Sequence, residues 1–194
     1  MQADTLLCED LPVGRRRLRV SLVTETYPPE INGVAMTLGR LVEGLRARDH
    51  PVQLIRPRQP RDLAAGNAPG LEEVLRPGIP IPRYAGLTMG LPAKRMLSDL
   101  WSVRRPDLVH IATEGPLGWS ALAAARKLRL PVVSGFHTNF HRYTGHYGLA
   151  WLNKPVHAYL RKFHNHTHVT LVPTDGLRRE LLATGFRNVE VLGR

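Results

Sequence analysis

Histidine and tyrosine side chains are concentrated in one short segment, residues 136–148, with the sequence FHTNFHRYTGHYG. The segment directly follows an apolar run, Val132 to Phe136, that predicts a buried strand. Aromatic rings that can stack, and side chains that can make several hydrogen bonds, suit a ligand rich in hydroxyl groups. We therefore predict a ligand-binding loop that begins at His137. The alternative is that His137 is a buried structural histidine.

A second loop, Thr24 to Val34 (TETYPPEINGV), links an apolar run to a segment of helical periodicity. A glycine at the start of a helix lets backbone amides approach a phosphate, and the helix dipole favours the negative charge. Asn32 and Gly33 are therefore candidates for phosphate binding. The alternative is an ordinary turn, because Asn-Gly is a common turn dipeptide and the sequence has neither GxGxxG nor a Walker lysine.

Glu114 lies in a third loop, Thr113 to Pro116, between a predicted strand and a predicted helix. Its carboxylate could accept hydrogen bonds from sugar hydroxyls or act as a base. It could equally support the first turn of the following helix, where acidic groups are favoured. The residue type and position do not separate these two interpretations.

Seven of the nine histidines lie between residues 137 and 168, so metal binding has to be considered. No acidic partner accompanies His137 and His141, or the alternating group that ends at His168, and the sequence has no HExxH motif. We therefore predict that the protein needs no metal or other cofactor. Serine hydrolysis is not indicated either, because no GxSxG motif occurs.

Strands and helices alternate in the pattern along the chain, which predicts an α/β protein with a doubly wound, Rossmann-like parallel sheet. Ligands of such sheets bind beyond the carboxyl ends of the strands, where all three loops lie. The predicted strands are 18–24, 52–55, 79–84, 108–112, 132–136, 169–172 and 189–192. The predicted helices are 34–48, 93–104, 117–128, 154–165 and 177–182.

The composition is that of an ordinary globular protein of 194 residues, 43% hydrophobic and 22% charged. One cysteine excludes an internal disulfide framework, and neither a signal peptide nor a membrane-spanning run is visible, so we expect a cytoplasmic protein. We expect residues 1–17 to be a poorly ordered leader and 18–194 to be one domain. The net charge of +11 favours anionic partners, namely phosphorylated ligands, anionic lipid or nucleic acid.

The predicted helix 93–104 is basic and amphipathic. Such a helix can lie on an anionic lipid surface. The alternative is that its apolar stripe packs on the sheet. The residues proposed to contact the membrane are Lys94, Arg95, Trp101, Arg104 and Arg105.

Three stretches of this sequence resemble the amino-terminal half of a GT-B glycosyltransferase of family 4. They are VSLVTETYPPEINGVAMTLGRLVEGLRARDHPVQLI, PDLVHIATEGPLGWSALAAARKLRLPVVSGFHTNF and LVPTDGLRRELLATGFRNVEVLGR. The runs TYPPEINGVA and GFHTNFHRYTGHYG look most like the branch that transfers mannose or related sugars to glycolipids. The resemblance implies a two-domain enzyme that retains the anomeric configuration, needs no metal, and is peripheral on the inner face of the cell membrane.

The resemblance also implies roles for individual residues. Gly33, preceded by Asn32, matches the glycine whose amide meets the donor diphosphate, and His137 matches the histidine that contacts the transferred sugar. This half holds the acceptor, a glycolipid or glycan. The residues expected to bind it are Tyr27, Glu114, Asn139 and Tyr143.

The family's basic pair and its Glu-x7-Glu motif belong to a carboxyl-terminal donor domain, which this chain does not reach. We therefore expect an acceptor-side domain that is inactive alone. Two alternatives stay open: a basic nucleic-acid-binding α/β domain, although no nucleic-acid reader motif is recognised, and another nucleotide-sugar enzyme such as an epimerase.

Overall fold

Strands and helices alternate through the part of the chain that the structure, a computed structural model, describes: residues 16–59, 62, 65–81, 88–137 and 153–193. The strands are β1 (Val20–Val23), β2 (Val52–Pro57), β3 (Leu71–Arg76), β4 (Gly78–Pro80), β5 (Thr88–Gly90), β6 (Leu108–Ile111), β7 (Val132–Gly135), β8 (Val169–Val172) and β9 (Val189–Val191). The helices are α1 (Gly33–Arg46), α2 (Lys94–Val103), α3 (Pro116–Lys127), α4 (Asn153–His164) and α5 (Asp175–Ala183).

Seven strands form one parallel sheet in the order β3-β2-β1-β6-β7-β8-β9, and β4 pairs with β5 in a separate antiparallel ribbon. From β1 the chain first builds outward through β2 to β3, and then returns to place β6 on the other side of β1. The order of the strands therefore reverses between β1 and β6. In open parallel sheets, this reversal opens a crevice at the carboxyl ends of the two strands.

Both faces of the sheet are covered, which explains why β1 and β2 are buried along their whole lengths. On one face, Leu38 and Val42 of α1 pack on the apolar side chains of β1 and β2. On the other face, α2 and α3 pack on β1, β6 and β7, with Trp101 at the centre of that core. This arrangement confirms the predicted doubly wound α/β class.

The sequence pattern missed β3, the edge strand whose sequence is LEEVLR. Its two glutamates obscure the apolar alternation, and each is paired in the folded chain: Glu72 accepts from Gln53, and Glu73 from the buried Arg56. The pattern also missed β5, a strand of three residues. The predicted strand 79–84 corresponds at its start to β4, and residues 82–84 lie outside the described residues.

Most of the predicted leader, residues 1–15, also lies outside the described residues, so that prediction is untested. Arg16 and Arg17 are described, and they form exposed ion pairs with Asp107 and Asp49.

Candidate functional site

The crevice at the carboxyl ends of β1 and β6 is bordered by the loops that follow those strands. The backbone N–H of Glu25, after β1, donates to the Thr113 hydroxyl, after β6, at 3.0 Å. The backbone N–H of Leu117 in turn donates to Oε1 of Glu25 at 3.3 Å. These contacts hold the two loops together at the position where the strand order reverses.

The start of α1 faces this crevice with open backbone amides. Asn32 caps the helix, because its Oδ1 accepts from the N–H of Ala35 at 2.9 Å, and its Nδ2 donates to Thr26 at 2.7 Å. Within the described residues, the N–H groups of Gly33 and Val34 donate to no acceptor. A methyl group added at Gly33 would meet no atom within 4 Å. The space above these amides is therefore accessible, and the helix dipole makes it favourable for an anion.

The start of α3 lies at the same crevice and is closed by a side chain of the protein. Pro116 has no N–H, and the next amide, of Leu117, is taken by the Glu25 carboxylate. Gly115 permits this approach, because an added Cβ there would collide with the Glu25 carboxylate oxygens. Of these two helix starts, the start of α1 is the one left open to a ligand.

Burial raises the pKa of Glu25 from 4.5 to about 7. Hydrogen bonds from the backbone of Leu117 and Gly90 oppose this rise, and the nearby Glu114 adds to it slightly. Sequence reasoning missed Glu25. The signal that could have found it is an acidic residue directly after a buried strand that borders the predicted crevice.

A buried hydrogen-bond network stabilises the loop between β1 and α1 on its inner side. Gln59, 5% exposed, donates from Nε2 to the backbone oxygen of Tyr27 at 3.0 Å and to Glu30 at 2.8 Å. Glu30 also accepts from Thr26 and, at 3.4 Å, from Asn32, and burial raises its pKa. This network fixes the loop that presents Gly33. The Tyr27 ring is half-buried and packs against the core under α1, so its predicted contact with the acceptor stays a prediction.

Glu114 supports α4 in this structure. Its Oε1 lies 3.1 Å from Nε2 of His164, whose Nδ1 lies 2.8 Å from the Ser134 hydroxyl, and the Tyr159 hydroxyl donates to its backbone oxygen. The serine, histidine and glutamate are arranged like a hydrolytic triad. Ser134 and His164 are completely buried, however, so no substrate reaches the hydroxyl. The contact with His164 favours a supporting role for Glu114, and its predicted acceptor contact stays untested.

His137 follows β7 and borders a cavity of about 500 Å³ on the face of the sheet that carries α1. The cavity is also lined by Thr37 and Arg40 of α1 and by His110 of β6. His137 is partly exposed, but its Nε2 is buried, so the exposed part of the side chain is the rest of the ring. Asn139 and Tyr143 lie outside the described residues. Within the residues that are described, no three His, Cys, Asp or Glu side chains come together as they would around a metal ion.

One predicted membrane contact is wrong. Trp101 is completely buried in the core between α2 and the sheet, and its Nε1 donates to Gln53 at 3.0 Å. The apolar stripe of α2 therefore packs on the sheet, because the side chains that repeat at helical spacing face β1 and β2 rather than solvent.

The four basic residues of the α2 region are exposed, but their surroundings differ. Arg104 pairs with Glu72, and Arg105 donates to the backbone oxygen of Leu128 at 2.8 Å. Lys94 and Arg95 make no ion pair within the described part of the chain. None of the described helices has the length and apolar character needed to cross a bilayer.

The fold is shared with solved glycosyltransferases. The sucrose-phosphate synthase of Thermosynechococcus elongatus matches 91% of this chain and 48% of its own, with a TM-score of 0.61 and 13% identity. At 13% identity, the structural similarity shows the fold alone. That fold is the Rossmann-like half of a GT-B protein. The chain belongs to glycosyltransferase family 4, whose model matches residues 31–194.

Curated relatives of the chain are sugar transferases. A GDP-mannose-dependent alpha-mannosyltransferase of Mycobacterium tuberculosis is 31% identical over 174 residues, covering 89% of this chain and 46% of the relative. An alpha-monoglucosyldiacylglycerol synthase of Acholeplasma laidlawii is 33% identical over 175 residues, covering 85% of this chain and 43% of the relative. The chain thus spans about half the length of the curated relatives it matches. The family is thus one of glycosyltransferases rather than epimerases, and nucleic-acid binding stays untested.

Proposed function

We propose that this chain is the acceptor-side half of a retaining glycosyltransferase. The enzyme transfers a hexose, with mannose as the first candidate, from a nucleoside-diphosphate sugar to a lipid or glycan acceptor. Relatives named for GDP-mannose and for a diacylglycerol product support the donor and the acceptor class. One observation carries the proposal: of the two helix starts at the crevice, Glu25 closes that of α3, while that of α1 stays open at Gly33.

The open helix start suits the chemistry of the leaving group. As the bond between the sugar and the diphosphate breaks, negative charge develops on the diphosphate oxygen. The amides of Gly33 and Val34 and the dipole of α1 stabilise that charge without having to reorganise, because the Asn32 cap and the Gln59 network already hold them. This assignment requires no metal ligand from the chain.

His137 takes the position next to the transferred sugar. It borders a cavity that Thr37 of α1 also lines, one helical turn after Gly33, and we assign the sugar to the space between them. With retention of configuration, the acceptor oxygen enters on the face from which the diphosphate leaves. The residues around the crevice therefore have to hold the acceptor on the same side as the leaving group.

A lipid acceptor has to be reached at a membrane. We assign the membrane contact to the start of α2, where Lys94 and Arg95 are exposed and free of ion pairs within the described residues. We propose that the enzyme works in the cytoplasm, at the inner face of the cell membrane, where basic side chains are attracted to anionic lipid.

The experiment that tests the proposal measures sugar transfer from GDP-mannose, and from UDP-glucose, to diacylglycerol-type lipids by the complete enzyme that carries this chain. His137→Ala is expected to lower kcat about 100-fold, the cost of removing one well-placed polar group from the transition state. Its melting temperature should stay that of the unmodified enzyme. The control is His166→Ala, an exposed histidine beyond the end of α4, which should leave kcat unchanged. Unchanged transfer by His137→Ala at saturating substrates would contradict the role given to this residue.

A further inference from the structure

His110 is a buried imidazole that the proposed chemistry does not use. It is 6% exposed and lies on β6, flanked in the sheet by Leu22 of β1 and Val133 of β7. Within the described residues, its Nε2 has no hydrogen-bond partner. An unpaired buried nitrogen costs stability, so its presence calls for an explanation. Burial lowers the pKa of His110 to about 4, with a smaller effect from His137, so the ring is neutral at neutral pH.

The Nε2 atoms of His110 and His137 both lie close to the space above one residue, Gly135. A Cβ added at Gly135 would lie 2.6 Å from Nε2 of His137 and 3.3 Å from Nε2 of His110. The backbone of Gly135 does not have a positive φ, so no conformational demand explains the glycine. The reason for it is space, because a side chain here would occupy the position of the His137 ring.

We propose that His110 and Gly135 are positioning residues for His137. His110 places a buried, uncharged imidazole beside the tip of the His137 ring, and Gly135 leaves the gap into which that tip fits. Together they seat the tip of the ring, whose Nε2 is buried, above Gly135 at the border of the cavity that α1 also lines. This inference rests on the proposed function, in which His137 contacts the transferred sugar.

Gly135→Ala tests the gap directly. The three atoms nearest to the added methyl group all belong to the side chains of His137 and His110. The fold can therefore accept it by turning the His137 ring away. A misplacement of about 1 Å in a reacting group can cost on the order of 100-fold in rate, so we expect kcat for sugar transfer to fall by that order while the melting temperature changes little. His110→Phe, which keeps a ring but removes both nitrogens, should lower kcat less.

A double-mutant cycle in the complete enzyme separates positioning from a general structural effect. In the His137→Ala background, Gly135→Ala and His110→Phe should each lower kcat no further, because the ring that they position is gone. The control is His168→Phe, which removes the hydrogen bond from the Val132 N–H at the opposite end of β7 and should leave kcat unchanged.

Two outcomes would overturn the inference. One is an equal loss of kcat from Gly135→Ala with and without His137. The other is that His137→Ala inactivates the enzyme while Gly135→Ala and His110→Phe both keep a kcat near that of the unmodified enzyme. If His137→Ala itself leaves kcat unchanged, the proposed function fails at that residue, and the positioning role fails with it. The three results are distinguishable because the single variants and the cycle are measured in the same assay.

Discussion

Two glycines at the crevice show how the same residue type serves opposite purposes. Gly115 is required by the protein itself, because the Glu25 carboxylate fills the space where a side chain would be. Gly33 has open space around it, so nothing in the folded chain requires a glycine there. We therefore expect Gly33 to serve the ligand, because a residue without a side chain lets the diphosphate approach the backbone amides.

Gly33→Ala should separate binding from stability. Alanine is the better helix residue by up to about 1 kcal/mol, so the melting temperature is expected to stay equal or rise. The methyl group will keep the diphosphate away from the amides, so KM for the nucleotide sugar should rise. The matched control is Gly176→Ala in the first turn of α5, which also has open space and should leave KM unchanged. An unchanged KM for Gly33→Ala would contradict the proposal that the diphosphate binds at the start of α1.

Glu25 should make stability depend on pH. Its pKa is raised from 4.5 to about 7, so the folded chain holds the proton more tightly than the unfolded chain. The resulting stabilisation is complete below about pH 4.5 and is lost as the pH rises to about 7, by about 3 kcal/mol. Glu25→Gln stays neutral throughout and can still accept from Leu117. Its free energy of unfolding should therefore exceed that of the native chain at pH 8, with the gap closing toward pH 4.5.

The measurement is chemical denaturation of the 194-residue chain at pH 5 and at pH 8. Glu43→Gln, at an exposed position on α1, controls for the loss of one negative charge. A constant difference between Glu25→Gln and the native chain at both pH values would show that Glu25 does not titrate in this range.

At the scale of elements, α2 has one face buried in the core and one face at the surface. Its apolar face, with Leu97 and Trp101, is buried on the sheet, while the basic side chains at its two ends are exposed. The helix therefore cannot lie in a bilayer by its apolar stripe without unfolding this core. What remains for a membrane is electrostatic attraction.

Lys94→Glu combined with Arg95→Glu should lower the affinity for anionic phosphatidylglycerol vesicles about tenfold or more, since each basic residue near such a surface contributes about 1 kcal/mol. Binding of the native protein should weaken as salt rises, because the Debye length shortens from about 10 Å at 0.1 M. This pair is a cleaner test than Arg104 and Arg105, whose reversal would also break the contacts with Glu72 and Leu128.

The control for this experiment reverses the same amount of charge elsewhere, at the exposed Arg126 and Lys127 in the last turn of α3. Equal losses from the two double variants would mean that binding depends on net charge. Equal binding of the native protein to neutral and anionic vesicles would contradict the proposal that basic residues of α2 attract anionic lipid.

At the scale of the whole molecule, the crevice has one wall in this chain. The roles proposed above for the α1 amides and for His137 account for one side of the ligand, and the curated relatives are about twice as long as the part that matches. We expect purified residues 1–194 to transfer no sugar and to bind nucleotide sugar weakly, because a ligand held from one side stays largely in water. Sugar transfer by this chain alone, at a rate near that of the complete enzyme, would contradict the proposal that both halves are needed for catalysis.

The order and type of most elements follow from the sequence by itself, because local side-chain periodicity records which residues are buried. The runs at β1, β2 and β6 to β9, and the repeats at α1 to α5, predict those elements closely. Gly33 and His137 could be singled out by position, since they follow strands predicted to be parallel, whose carboxyl ends lie at the same edge of the sheet. The edge strand β3 was missed, because its glutamates are buried in part by hydrogen-bond and ion-pair partners distant in sequence.

The tertiary structure decided which of these groups are accessible, because accessibility depends on contacts between residues far apart in the chain. Glu25 closes the start of a helix 92 residues further on. His110 reaches His137 because β6 and β7 are neighbours in the sheet. Trp101 turns inward because the indole N–H finds Gln53 of β2 and the ring fills the core. A periodic pattern shows that a helix has an apolar face, but packing against the sheet determines whether that face meets protein or membrane.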